Sequence, residues 1–264
     1  MSQPEFVSSV VDLGQVQIEV LEHGKGPAVL FLASLGRGAE DYKEVGSLVA
    51  KEGFRVMLLQ PRGVGKSKGP MKGVTLHDLA DDVAGVIKQK VGGGPAMIVG
   101  HAFGNFVARM TAADHPDVTR AVCVLAGTSG LVEIDPAANE SVFKSSDMSL
   151  SEEERLMHLR RAFFAPGNNA RIWLTGWYPA TKEMQREAQK AVPREAWTGA
   201  GSAPVLNLQC ADDTIAPSRH AHTLREKYGD RITTVMVCNA GHAAVEEQPH
   251  EIAAVIVRYI KTKL

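Results

Sequence analysis

The 264-residue sequence predicts an α/β protein built on a doubly wound, mostly parallel sheet. Three observations carry the prediction. Short, continuous apolar runs recur along the chain; amphipathic helical patterns separate them; and one run passes through a glycine-flanked turn straight into a helix. Continuous apolar runs mark strands covered on both faces, as in a parallel sheet, whereas strands with one wet face alternate.

In order, the first segment does alternate. Val16, Ile18 and Val20 face one way and Gln15, Gln17 and Glu19 the other, which predicts an edge or half-exposed antiparallel strand. The continuous runs follow at 29–32, 56–59, 97–99, 122–125, 205–208 and 234–237. Helical spacing is found between them at 42–50, 76–91, 103–115, 218–228 and 247–263. Thr75 is placed to cap the second of these helices, with Asp78 three residues on. From 128 to 200 the strand pattern stops. That stretch holds a helix with an acidic first turn (Glu152, Glu153, Glu154), a polar helix at 181–191 and all three tryptophans, Trp173, Trp177 and Trp197. It reads as a helical lid inserted into the fold, giving a core of 1–127 and 201–264 and a cap of 128–200.

The composition bounds the function classes. With 44% hydrophobic and 22% charged residues the chain has material for a core and is not a disordered polymer. A formal net charge of -1, with the lysines and arginines scattered among acids, argues against a nucleic-acid surface or a polybasic membrane anchor. No apolar run reaches the ~20 residues that span a bilayer. Cys123, Cys210 and Cys238 lack C-x-x-C spacing, so no metal site or redox motif is expected, and they read as buried, reduced thiols. Residues 1–5 show neither the charged start nor the apolar stretch of a secretory leader. The expectation is a cytoplasmic protein with a small-molecule partner and no cofactor; the sequence leaves the oligomeric state open.

The chemistry-bearing string is Met97-Ile98-Val99-Gly100-His101-Ala102-Phe103-Gly104-Asn105. A buried strand enters a sharp turn whose two glycines permit it, and a helix follows at once. Here the chain resembles the α/β-hydrolase family, whose nucleophile elbow reads Gly-x-Ser-x-Gly in this setting. Position 102 is the nucleophile position, and it is alanine.

The resemblance runs from the strand at Val16 through the last helix and implies further site residues. Asp212-Asp213-Thr214-Ile215-Ala216-Pro217 is similar to the family's acid loop, where the catalytic acid stands four residues before the proline; this selects Asp213 over Asp212. Asn239-Ala240-Gly241-His242, followed by Glu246-Glu247-Gln248-Pro249, resembles the catalytic-histidine loop and selects His242. The order of nucleophile position, acid and histidine matches the family's. The oxyanion hole is implied to combine the backbone N–H groups of Phe103 and Leu35. The loop bearing Leu35 reads Ala33-Ser34-Leu35-Gly36-Arg37, where many relatives have His-Gly. Ser34, Arg37, His101, Trp173 and Trp177 are the candidates for substrate contact.

Two other glycine-rich segments are set aside. Gln60-Pro61-Arg62-Gly63-Val64-Gly65-Lys66-Ser67 ends like a phosphate loop, but a Walker motif needs glycine at position 60 and a helix directly after the serine. It resembles instead the family's Arg-Gly-x-Gly-x-Ser turn. Gly92-Gly93-Gly94 precedes a strand, so it is a helix stop and not a dinucleotide cradle.

A methyl group does not attack a carbonyl. Loss of the serine nucleophile costs about six orders of magnitude in turnover, with roughly 10³–10⁴ over water left from the remaining site. The sequence is consistent with a hydrolase whose serine has been replaced by engineering, or with a natural site in which His242 acts as general base on water. Either way the expected substrate is a small, largely apolar ester, lactone or amide. Two other classes share the scaffold: a ligand-binding receptor or carrier that uses the pocket without chemistry, and a lyase or proton-transfer enzyme that needs His242 but no serine.

Overall fold

The computed structural model describes residues 6–92, 94–132 and 134–264. Met1 to Glu5, on which the leader expectation rests, and Gly93 of the triple glycine lie outside the described residues. Eight strands form one sheet: β1 Val7–Asp12, β2 Gln17–His23, β3 Ala28–Leu32, β4 Arg55–Leu59, β5 Ala96–His101, β6 Thr119–Leu125, β7 Val205–Cys210 and β8 Ile232–Val237, in the spatial order β1-β2-β4-β3-β5-β6-β7-β8. Strand β2 runs antiparallel to both its neighbours, and all the other pairings are parallel.

The runs are continuous because both sheet faces are dry. Val29, Phe31, Val56, Leu58, Met97 and Val99 pack with helices α1 (Lys43–Lys51) and α10 (Pro249–Lys263) on one face. Leu30, Leu32, Met57, Leu59 and Ile98 pack with α2 (Leu76–Val91) and α3 (Phe103–Asp114) on the other. Helix α2 starts in the predicted capping box, with the Thr75 side chain on the Asp78 N–H and the Asp78 carboxylate on the Thr75 N–H. Such a cap stabilises a helix by about 1 kcal/mol. It stops at Gly92, whose φ of 71° lies in the left-handed region that glycine adopts without strain.

Four sequence expectations are corrected. The alternating segment is not the sheet edge: β1, whose Val7 and Val10 are exposed, covers it, and Glu19 is buried where it accepts from Ser8 Oγ (2.5 Å) and the Lys66 N–H (2.7 Å). The helix at 218–228 is broken into a short 3-10 turn and α8 (Thr223–Tyr228). The helix at 247–263 is α10, which follows the short α9 (Ala244–Glu247) and starts at Pro249, because the residue before a proline avoids helical dihedrals; Gln248 has φ −135° and ψ 52°. Cys238 is exposed just past β8, while Cys123 and Cys210 are buried. The Gly63–Ser67 turn is structural as well: Arg62 forks onto Asp82 at 2.7 and 2.9 Å, and the Ser67 hydroxyl donates to the Gln60 carbonyl.

Between β6 and β7 the described residues hold α4 (Pro136–Lys144), α5 (Glu152–Ala162), α6 (Pro179–Lys190) and α7 (Arg194–Thr198), with no strand among them. Helix α5 opens with a second capping box, Ser151 with Glu154. No helix among the described residues is long and apolar enough to cross a membrane.

Candidate active site

The turn after β5 is fixed by close approach. A Cβ on Gly100 would lie 2.4 Å from the Gly104 carbonyl oxygen, and one on Gly104 would lie 2.3 Å from the Leu32 carbonyl oxygen. Only glycine fits either place. Between them Ala102 holds φ 48° and ψ −112°, a conformation that costs a non-glycine residue about 1–3 kcal/mol and persists only where its surroundings enforce it. Its N–H donates to the Leu125 carbonyl on β6 (3.0 Å), and its own carbonyl accepts from the Asn105 side-chain amide.

Asp213 and His242 come from the loops after β7 and β8, at the same C-terminal sheet edge where the elbow emerges, the usual site of ligands in such sheets. Asp213 Oδ1 accepts the N–H groups of Ile215 and Ala216, both at 2.8 Å, and Oδ2 lies 2.8 Å from His242 Nδ1. A carboxylate can only accept there, so His242 carries a proton on Nδ1, the tautomer that in a neutral ring leaves Nε2 as the acceptor. Both side chains are buried.

Ala102 and His242 line a cavity of about 560 Å³, within the size range of small-molecule sites. Its wall includes Leu35, Phe103, Phe106, Phe163 and Trp197. Phe103 is the first residue of α3, whose leading N–H groups have no intrahelical acceptor. The Leu35 N–H likewise finds no acceptor among the described residues, although its neighbour Gly36 donates to Gln185 Oε1 (2.7 Å) and Arg37 to the Ser34 carbonyl.

Of the five residues expected to contact substrate, Ser34 and Trp177 line this cavity; Arg37, His101 and Trp173 do not. Arg37 is turned away: it forks onto Asp41 (2.7 and 2.9 Å), donates to the Thr175 carbonyl and lies between the rings of Trp173 and Trp177, 4.5 and 4.7 Å from their centroids. Trp173 is fully buried beneath it. His101 is also fully buried, held between the Tyr42 hydroxyl at Nδ1 and the His242 carbonyl at Nε2, both 2.7 Å away. Burial above all pushes its pKa down to about 3, so the ring is neutral.

Several positioning residues escaped the sequence reading. Arg109 is buried without a carboxylate; it donates to Asn105 Oδ1 and to the carbonyls of Thr128, Ser129 and Thr198, and lies 4.9 Å over Trp197. It thus ties the elbow helix to α7. Glu247 accepts from the N–H groups of Ala165 and Gly241 and from Asn168, holding the His242 loop against the segment after α5. The third tryptophan, Trp197, was not singled out, yet it reaches the cavity. Local patterns gave no signal for these, apart from the helical spacing of Asn105 and Arg109 on one face.

Known proteins resemble the chain. It is 30% identical over 125 residues to a 2-(acetamidomethylene)succinate hydrolase of Mesorhizobium japonicum, a match spanning 47% of this chain and 44% of that protein. It is 24% identical to a 2-hydroxy-6-oxo-6-(2'-aminophenyl)hexa-2,4-dienoic acid hydrolase of Metapseudomonas resinovorans, over 99% of this chain and 93% of the relative. The crystal structure of an E-2-(acetamidomethylene)succinate hydrolase superposes with a TM-score of 0.80 at 21% identity, covering 98% of this chain and all of the other. A serine hydrolase involved in carbazole degradation gives 0.78 at 20% identity, with coverage of 98% and 100%. At those identities the structures speak for the fold alone. The family itself is matched over residues 21–255, spanning the elbow, the acid loop and the histidine loop: the chain belongs to the α/β-hydrolase family.

Proposed function

We propose that the protein hydrolyses a small, largely apolar carbonyl compound, an ester, lactone or amide, with His242 as general base on water and no covalent step. The observation that carries this reading is the Asp213–His242 pair, hydrogen-bonded at 2.8 Å, with His242 and Ala102 both lining the cavity. The two relatives named above are hydrolases of small acids, which agrees with the reaction class.

Asp213 fixes the His242 tautomer and offsets the charge that forms on the ring. A water above the Ala102 methyl gives its proton to His242 Nε2 as its oxygen bonds to the carbonyl carbon. The oxygen of that carbonyl, now carrying the electron pair, takes hydrogen bonds from the Phe103 and Leu35 N–H groups. Collapse re-forms the carbonyl and expels the leaving group, which takes the proton back from His242. Base catalysis of this kind is worth about 10²–10⁴ in rate, far below what a serine nucleophile supplies. The segment between β6 and β7, which contributes Val142, Phe143, Trp177 and Trp197 to the cavity wall, acts as its lid.

The test is hydrolysis of short-chain nitrophenyl esters by the chain as it stands, by His242→Ala and by Ala102→Ser. Slow turnover without a burst that disappears in His242→Ala supports the mechanism. An unchanged rate in His242→Ala overturns it. Tight binding of ester analogues with no turnover by any form supports instead a ligand-binding role.

A further inference from the structure

The side chains that line the cavity are unequal in charge. Among the described residues no aspartate or glutamate lines it, whereas Arg186, Lys190 and Arg194 all do. Arg186 and Lys190 stand one helical turn apart on α6, so they share a face, and Arg194 opens α7 just beyond. The other ionisable side chain described at the wall is His242, and the rest of the lining is dominated by aromatic and aliphatic residues. The cavity is therefore apolar around the elbow and cationic where α6 gives way to α7.

Ordinary surface pairing does not use up these cations. Arg186 approaches Glu183 only at 3.5 Å, and Lys190 meets Glu187 at 2.6 Å; both acids are more than half exposed. Such solvated pairs are worth about 0–1 kcal/mol and exchange readily for a better partner. Arg194 forms no ion pair among the described residues. The Arg186 guanidinium is half-buried and lies 4.4 Å over the ring of Phe143, itself part of the cavity wall. A guanidinium set against an aromatic face keeps its fork of donors while losing part of its water, the arrangement that favours a planar carboxylate.

We propose that the substrate is amphiphilic: an apolar carbonyl compound with a carboxylate at its far end, received by Arg186, Arg194 and Lys190 while the scissile group lies at Ala102 and His242. The inference rests on reading the cavity as the substrate site, and it narrows the substrate class of that same site. A charge held at the α6–α7 junction gives one binding orientation, because the reversed pose would set the carboxylate among the rings at the elbow with no cation beside it.

Binding tests it without any turnover. Phenylbutanoate and phenylbutanol share size and apolar body and differ in the anionic end; each is titrated by calorimetry and by the fluorescence of Trp177 and Trp197. The acid is expected to bind at least about tenfold more tightly than the alcohol, by a margin that shrinks as salt rises. Arg194→Gln and Lys190→Gln, both exposed positions, should each reduce the margin, and Arg186→Gln should reduce it most, with melting curves confirming the fold. Equal affinity for acid and alcohol, a margin untouched by the three variants, or no binding of either up to about 10 mM overturns the proposal. The hydrolytic reading stands or falls separately: ester turnover that depends on His242, with no preference for the acid, sinks the carboxylate subsite alone. A clear preference for the acid in a protein with no turnover sinks hydrolysis alone.

Discussion

His101 Nε2 lies 2.7 Å from the main-chain carbonyl of His242, so the residue before Ala102 holds His242 by its backbone. Because the ring is neutral and the carbonyl only accepts, Nε2 carries the proton and Nδ1 accepts from the Tyr42 hydroxyl. That hydroxyl in turn accepts from the Ser34 N–H at 2.8 Å. One chain of hydrogen bonds thus runs from the Ser34 loop through Tyr42, just before α1, to the His242 loop.

Tyr42→Phe cuts this chain and leaves the Ser34 N–H and His101 Nδ1, both buried, without partners. The expected cost is about 1–3 kcal/mol, read from urea unfolding midpoints at constant m-value. Turnover should fall mainly through kcat, because Tyr42 sets the positions of the Ser34 loop and His242 and does not itself line the cavity.

Ala102→Ser restores a nucleophile to an elbow that is otherwise intact, with its glycines, its strained dihedrals and the Asp213–His242 pair in place. Ester turnover is expected to rise by roughly a thousandfold or more, with a burst of released nitrophenol marking an acyl-enzyme. Adding Asp213→Asn to this form should lower kcat by about 10⁴, since an amide favours the wrong tautomer of His242. If the serine form shows neither burst nor faster turnover, the cavity does not place a carbonyl at the elbow.

Arg109→Met removes four hydrogen bonds at once and leaves Asn105 Oδ1, the buried Ser129 and Thr198 carbonyls and the part-buried Thr128 carbonyl without this partner. A loss of about 3 kcal/mol or more is expected in chemical denaturation. Arg109→Lys should rescue little of it, because a single ammonium does not reproduce the spread of the guanidinium fork.

Glu246 sets a pH dependence. Burial first, and then the charge of Asp41, raise its pKa from 4.5 to about 7. A carboxyl whose folded pKa lies above its unfolded value contributes stability that is full below about pH 4.5 and is lost as pH rises through about 7. Relative to wild type, Glu246→Gln should therefore gain stability across that window, seen as converging melting temperatures near pH 4.5 and a higher value for the variant near pH 8. Parallel curves for the two proteins would show that Glu246 does not titrate there.

What the sequence determined by itself is whatever short-range physics fixes. The doubly covered strands are legible because burial on both faces leaves no polar alternation, and α2 because Thr75 and Asp78 cap it locally. The elbow is legible because a strand that turns straight into a helix needs small residues at Gly100 and Gly104, only four apart. Asp213 and His242 were reached through family resemblance, and the fold brings them within 2.8 Å of each other. Tertiary structure alone decided the rest. Val7 and Val10, exposed on β1, gave the outer strand no clear pattern, and Glu19 looked solvated until β1 covered it. The loop after β3 is held by Gln185, 149 residues away from Gly36, and no local pattern encodes such a contact. Which tryptophans meet the cavity was settled in the same way. All three lie in one helical stretch, but the packing of Arg37 buries Trp173 and the docking of α7 on α3 brings Trp197 to the wall. Side chains distant in the chain become neighbours only when helices pack, and that packing is where this site acquires its shape and its charge.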